Sequence, residues 1–362
     1  MWKAIKIILL VLCMTASAVV GAYAGRITVT VEKADEWMHV DVDTDFDDID
    51  LGDIKVKSDN DIINILLIGN DEREESSMGT VGGLSDVMII GTLDLKHKRL
   101  KLSSLLRDCY VDIPGYGSNK LNAAYPLGGG KDGGVKLLYQ TIAYNFGIKL
   151  DGYVEVGFDA FVKVVNDVGG VDIELSESEA EYLNTTNYIS KKKYRNVKPG
   201  WNHMNGYQAL GYCRIRKGCT TIDGQTDDYA RTFRQRTTIS AGFKQLKQMP
   251  MSKWLKVVED VSKEIRTDLK IKEITGYLSD VVAMGTTEID TLQIPLQNHF
   301  YGEMTSNAGS ALIMNTMQDN ASGLHEFIFD YNGKGEFKYS EVPSVSVGAY
   351  NSAYTDTTGT TQ

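Results

Sequence analysis

From residue 62 onward, short apolar runs alternate with longer amphipathic ones, the rhythm of strands and helices interleaved in one α/β domain. Ile62–Gly69 is almost continuously apolar, as expected of a strand covered on both faces, and Val87–Leu93 repeats the pattern behind a glycine-rich loop. Asp94–Lys98 reads as a turn and Arg99–Leu106 as the returning arm of a hairpin. Val135–Phe146 has helical spacing and stops at Gly147, and Phe158–Val168 stops in the same way at Gly169 and Gly170. Strands are expected at Tyr153–Val156 and Val171–Leu175, with a turn at Pro114–Gly117. Asn205 is placed to cap a helix from Gly206, and Asp227 and Asp228 to open a longer one reaching Met249. Helices are also expected at Ser252–Glu264, Ile271–Met284 and near Ala311–Asp319, a strand at Ile289–Ile294, and an exposed basic loop at Lys191–Pro199. The expected fold is of the α/β class, a single α/β/α layered domain with a central mixed sheet over residues 62–340.

The flanks read differently. Ile7–Ala24 carries no charge and is just long enough to cross a bilayer. With Lys3 and Lys6 ahead of it, residues 1–25 are expected to be a cytoplasmic start and one N-terminal transmembrane helix, with the rest of the chain outside. A cleaved signal peptide ending at Ala18 or Ala24 is the alternative. Between Glu32 and Asp61 there are twelve acids against three lysines, so residues 26–61 read as an acidic stalk. The alternating acids from Asp41 to Asp45 lack the glycine of a calcium loop and fit a strand or stalk better. Residues 341–362, rich in Ser, Thr and Gly, are expected to be a disordered tail.

Charge and cysteines add two constraints. A formal net charge of -10 and a domain outside the cytoplasm argue against a nucleic-acid partner. Outside the cytoplasm, Cys109, Cys213 and Cys219 could form one disulfide and leave one thiol. The pairing is open, and a bridge from Cys109 to Cys213 or Cys219 would tie two parts of a site together.

Against that acidity, Gly206–Arg236 gathers Arg214, Arg216, Arg231, Arg234 and Arg236. A forked, permanently charged guanidinium suits phosphate oxygens; the alternative is a solvated helix paired through Asp227 and Asp228. Arg231 and Arg234 share a face if their segment is helical, and Arg214 and Arg216 share a side if theirs is extended. Asp71 and Asp86 fall near expected strand ends, where two carboxylates could hold a magnesium or serve as loop acids or caps. Arg107, opposite them, would complete a cage able to neutralise a pyrophosphate, which phosphoryl transfer requires.

In this order the motifs become recognisable: Ile68–Arg73, Ser85 and Asp86, Leu106–Gly115, Asn119–Tyr125, Gly152–Val156, Val168–Asp172, Asn205–Leu210, Arg214–Arg216 and Asp228–Gln235. Together they resemble the LytR-CpsA-Psr family over about Ile62 to Met249. The resemblance implies a membrane-anchored transferase on the extracellular face of a Gram-positive-type envelope. It would move a glycopolymer, teichoic acid or capsule, from an undecaprenyl-pyrophosphate carrier to peptidoglycan. It implies that Asp71 and Asp86 hold Mg²⁺, with Mn²⁺ an alternative. It further implies that Arg73, Arg107, Lys120, Arg214, Arg216, Arg231, Arg234 and Gln235 bind the pyrophosphate, and that Arg107, Arg214 and Arg216 act in catalysis. The family's apolar pocket for the polyprenyl tail is expected to be lined from Val135–Val168, and Arg236 is expected at the surface. Two departures stand out: Leu84 occupies a position where the family has an arginine, and the loop Lys217–Asp227, with Cys219, is extended. The first lends weight to a second function, a non-catalytic polyprenyl-phosphate-binding envelope sensor; a lipid pyrophosphatase is a third.

Overall fold

A computed structural model describes residues 39–40, 45–70, 85–250, 253, 257, 260–261, 265–286 and 288–340. The expected anchor, most of Ser252–Glu264, the tail, Asp71, Arg73 and Leu84 lie outside them. No helix among the described residues is long and apolar enough to cross a membrane.

The strands along the chain are β1 (His39–Val40), β2 (Ile62–Asn70), β3 (Ser85–Asp94), β4 (Arg99–Leu105), β5 (Tyr110–Ile113), β6 (Gly117–Lys120) and β7 (Gly152–Gly157). They continue with β8 (Val171–Leu175), β9 (Gly200–Met204), β10 (Ile265–Thr267), β11 (Ile289–Ile294), β12 (Phe300–Thr305) and β13 (Gly309–Met314). Seven of them form one sheet in the order β1-β10-β7-β2-β3-β4-β11. It is mixed, as expected: β2 runs parallel to β7 and antiparallel to β3, and β4 runs parallel to β11. The principal helices are α1 (Gly134–Phe146), α2 (Phe158–Asp167), α3 (Glu177–Thr185), α4 (Gly206–Arg214), α5 (Asp227–Gln248), α6 (Ile271–Met284) and α7 (Met317–His325).

One face of the sheet is closed. Ile62, Leu66 and Ile68 of β2 alternate inward with Met88 and Ile90 of β3, and they join Leu138, Ile142 and Phe146 of α1 and Leu324 of α7 in one core. Gly147, at φ 65, ends α1 in the left-handed conformation that glycine adopts without strain. The opposite face is only half-covered among the described residues. Ile63, Ile65 and Leu67 of β2 are apolar yet only half-buried, as are Val87 of β3 and Val154 and Val156 of β7. The register aligns them on one side, Leu67 opposite Val154 and Ile89, and Gly69 opposite Val156 and Val87. A second core on that side gathers Val165, Val171, Ile173, Leu183, Ala209 and Ile215 and includes none of those strand residues.

Three expectations are corrected here. Residues 45–61 pack on the domain and are not part of a stalk: Phe46 is buried, stacked at 4.3 Å on Tyr139 and at 5.5 Å on Tyr153, and Lys57 bridges to Ile148. One aromatic ring among many acids outweighs their tendency to extend the chain. Ala311–Asp319 is not one helix; Gly309–Met314 is a strand paired with β12, and α7 starts only after Thr316, whose hydroxyl accepts from Asp319 N at 3.1 Å. The apolar run and the cap belong to different elements. Val135–Phe146 lies in the closed core, so it does not line the half-covered face.

Candidate functional site

At the end of β4 the chain delivers Arg107 and Asp108, and around them gather side chains from four other places. Arg107 Nη1 pairs with Oδ1 of Asp86, at the start of β3. Lys120, ending β6, reaches Asp108 Oδ1 at 3.0 Å. Arg216, just beyond α4, donates through Nε to Asp228 Oδ1 at 3.0 Å and through Nη2 toward Asp108 Oδ2 at 3.4 Å. Arg231, one turn into α5, pairs with Asp228 Oδ1 at 3.2 Å. Four cations thus surround three carboxyls in one cluster, and they come from positions up to 145 residues apart, Asp86 to Arg231.

Local structure sets this geometry. Asn205 closes a capping box at the start of α4 with Gln208, accepting from Tyr207 N at 3.0 Å and Gln208 N at 3.2 Å. A Cβ on Gly206 would sit 2.2 Å from the Val162 carbonyl oxygen, so only glycine lets α4 lie this close to α2. That seating puts Arg214 at the helix end, its guanidinium 4.6 Å above the Phe158 ring with no ion pair among the described residues.

The two inner carboxyls are unlike one another. Burial works to raise Asp108, but hydrogen bonds from Asp228 and Lys120 and the charge of Arg107 bring it below the usual carboxylate range. Burial raises Asp228; the charge of Arg231 opposes this and its hydrogen bond to Asp108 adds to it. Of the two, Asp228 is therefore the one that takes up a proton more readily. Two guanidinium nitrogens, Arg107 Nε and Arg231 Nε, are buried with no hydrogen-bond partner among the described residues.

The cluster includes Asp86, Arg107, Lys120, Arg216 and Arg231 from the sequence-based set, with Arg214 at its edge. Gln235 is buried one turn beyond Arg231, on the same side of α5. Asp71 and Arg73 lie outside the described residues; the residue before Asp71, Asn70, ends β2 opposite Ser85. Arg234 departs from expectation. It is fully buried, donating through Nε to Glu179 Oε1 at 2.7 Å, through Nη1 to the Ile215 carbonyl at 3.1 Å, and through Nη2 to Cys219 Sγ at 3.4 Å. Sharing a helix with Arg231 did not give it the same partner, because Glu179 of α3 satisfies it on another side. Arg236 is also corrected: it is buried, with Nη1 donating to Ser104 Oγ of β4 at 3.0 Å. Asp108 and Asp228 are the central residues that the site set omitted, though each lies within three positions of a site arginine.

The described cysteines are free and buried, so no bridge joins Cys109 to Cys213 or Cys219. Cys109 lies under the closed face, against the Ile294 carbonyl, while Cys213 and Cys219 lie beside Arg234. Burial pushes all three thiols up, Cys213 to about 12, which leaves them poor nucleophiles.

Known proteins share this framework. The teichoic acid transferase TagV of Bacillus subtilis, named a polyisoprenyl-teichoic acid–peptidoglycan teichoic acid transferase, is 30% identical over 311 residues, covering 83% of this chain and 73% of TagV. Biofilm regulatory protein A of Streptococcus mutans is 31% identical over 309 residues, 79% of this chain and 69% of that protein. A structure of B. subtilis TagT with bound octaprenyl pyrophosphate lipid superposes with a TM-score of 0.55 at 23% identity, covering 76% of this chain and 95% of that one, and so shares its fold. The LytR_cpsA_psr family model matches residues 26–322, and the chain belongs to the LytR-CpsA-Psr family.

Proposed function

We propose that the protein is a membrane-anchored phosphotransferase that moves a glycopolymer, of teichoic acid or capsule type, from an undecaprenyl-pyrophosphate carrier to a hydroxyl of peptidoglycan outside the cell. The observation that carries this reading is the juxtaposition of the cation cluster with the half-covered apolar face of β2, β3 and β7. A pyrophosphate attached to a long isoprenoid tail needs both, charge for its head and dry surface for its tail. The activity for which TagV is named and the lipid held by TagT support the same chemistry. Residues 1–25 supply the anchor in this reading, which places the site near the membrane that holds the lipid.

Arg107, Lys120, Arg216 and Arg231 grip the diphosphate, with Arg214 at its edge, and take over charge that the inner carboxyls now offset. The acceptor hydroxyl oxygen attacks the phosphorus bearing the sugar. The bond from that phosphorus to the bridging oxygen breaks, the glycopolymer gains a phosphodiester, and polyprenyl monophosphate leaves. The hydroxyl proton passes to the Asp108–Asp228 pair, whose ionised member can accept it. Asp86, whose side chain stays 35% exposed, can present a carboxylate beside the phosphates. Among the described residues no three acidic, His or Cys side chains form a closed metal cage. Magnesium needs only one or two carboxylates plus water and phosphate oxygens, so Asp86 with Asp71 is a fitting pair, and manganese suits the same oxygens. A bound magnesium would neutralise charge on the phosphates.

Full-length protein in detergent micelles, given a lipid-pyrophosphate-linked saccharide and peptidoglycan with and without magnesium, tests the proposal. Saccharide joined to glycan by a phosphodiester is the expected product. Free phosphorylated saccharide would replace the transferase with a pyrophosphatase, and intact retained lipid would replace it with a sensor.

A further inference from the structure

Beside the cluster lies a cavity of about 860 Å³ that the proposed donor does not use. It runs along β11, the last strand of the sheet, under the segments 295–300 and 337–339. Its wall includes Gln225, Gln293, Gln297 and Asn298, the stacked rings of Tyr229 and Phe300 at 5.7 Å, and Arg236. Arg236 is buried; among the described residues its one hydrogen bond goes to the neutral Ser104 hydroxyl and no carboxylate is within ion-pair distance, the nearest charge acting on it being that of Asp223. Burial pulls it down to about 10, so it remains a cation at neutral pH. A buried charge held by one neutral hydrogen bond and by a carboxylate beyond contact distance is costly unless a ligand supplies a closer partner. Planar amides, aromatic faces and one cation form a surface suited to a sugar chain that carries N-acetyl groups and a carboxylate.

Position gives this cavity a role. The half-covered apolar face lies on β7, β2 and β3, whereas the cavity lies beyond β4 at β11. The two therefore flank the cluster from opposite sides. The cavity meets it at the first turn of α5, where Asp228 faces Arg216 and its neighbour Tyr229 lines the cavity, and the apolar face meets it at the start of β3, where Asp86 precedes Val87. Arg236 is five residues past Arg231, about 7 Å along the helix axis. In-line displacement at phosphorus requires the nucleophile to arrive opposite the leaving group. With the departing lipid on the β2 side, the hydroxyl must come from the β11 side.

We propose that this cavity is the acceptor subsite, and that it holds an acidic, N-acetylated glycan strand whose carboxylate is received by Arg236. The assignment rests on the transferase reading for its purpose but not for its test. The probe is a tetrasaccharide of alternating N-acetylglucosamine and N-acetylmuramic acid, titrated calorimetrically into the full-length protein with no donor present. The neutral N-acetylglucosamine tetramer is the comparison. The acidic glycan is expected to bind about tenfold more tightly than the neutral one, and Arg236→Gln to abolish that difference. Lys338→Glu, a charge reversal at an exposed position on the cavity rim, tests the same surface where folding is not at stake. It is expected to weaken the acidic glycan several-fold. In the transfer assay Arg236→Gln should raise the acceptor KM about tenfold and leave the donor KM unchanged. Equal binding of both glycans to the wild type would overturn the assignment, as would unaltered binding in both variants or a change confined to the donor KM. Discriminating glycan binding by a protein that transfers nothing would sink the transferase reading and leave the subsite standing.

Discussion

Replacing Arg234 with Met should unfold the protein more readily without touching the chemistry, and the size of the effect follows from its surroundings. Arg234 and Glu179 are both fully buried, joined at 2.7 Å, and Glu179 Oε2 also accepts the Ser176 backbone N–H at 2.9 Å in the capping box of α3. Removing the guanidinium strands a buried carboxylate and the Ile215 carbonyl. Breaking such a pair from one side costs about 3–5 kcal/mol. At roughly 2 °C per kcal/mol for a domain of this size, Tm should fall by about 6–10 °C. The double change Arg234→Met with Glu179→Leu removes both charges and should recover most of that loss, because an apolar replacement of a buried ion pair is often neutral. Differential scanning calorimetry of the single and double variants measures both quantities. Below the lowered Tm, transfer by the single variant should remain within a few-fold of wild type. A variant that melts within 1 °C of wild type but transfers nothing would refute the reasoning and return Arg234 to the pyrophosphate site.

Other outcomes follow from the same geometry. Arg107→Ala removes the guanidinium that joins Asp86 to the cluster, and transfer should drop by about 10²–10³ in a single-turnover assay with little change in Tm. Ile65→Glu puts a charge on the half-covered face of β2 and should abolish retention of a polyprenyl phosphate in a detergent-exchange assay, while a soluble pyrophosphate analogue still binds. His325 donates Nε2–H to the Phe146 carbonyl at 2.7 Å, and burial holds it down to about 4. The unfolded chain takes up that proton first, so stability should be lost as pH falls from about 6.5 to 4, by about 3 kcal/mol in all. His325→Phe should flatten the dependence of Tm on pH across that window, and an unchanged slope would assign the acid sensitivity elsewhere.

Much of the fold was legible because periodicity reports burial. The apolar runs of β2 and β3, the capping box before Gly206 and the glycine stop after α1 each followed from local chemistry. Less was legible where local and long-range signals disagreed. Twelve acids argued for a stalk up to Asp61, yet Phe46 found a ring to stack on that lies 93 residues away at Tyr139. The apolar run of β13 resembled a helix because its partner β12, all half-buried or exposed, carries no strong pattern of its own. At the site, motif order located Arg107, Lys120, Arg216 and Arg231. It could not separate Arg231 from Arg234, since spacing on α5 says nothing of α3, which supplies Glu179.

What separates them physically is completeness. Arg234 directs Nε, Nη1 and Nη2 to three protein acceptors, so its fork is already occupied and an arriving phosphate would have to displace Glu179 from a dry interior. Arg107 and Arg231 instead each leave a buried Nε with no hydrogen-bond acceptor among the described residues, Arg107 Nε lying 3.7 Å from Asp108 Oδ2, at about 1–3 kcal/mol apiece. Four cations in one cluster also repel one another. Asp86, Asp108 and Asp228 offset that repulsion with seats that a diphosphate can take over. The resting cluster is thus held together but left unsatisfied, and its missing acceptors are those that phosphate oxygens supply. Incomplete hydrogen bonding around a pre-assembled charge is what the structure adds to the arginine-rich segment, and it separates the arginines that the proposed function assigns to a ligand from Arg234, whose bonds are all made within the fold.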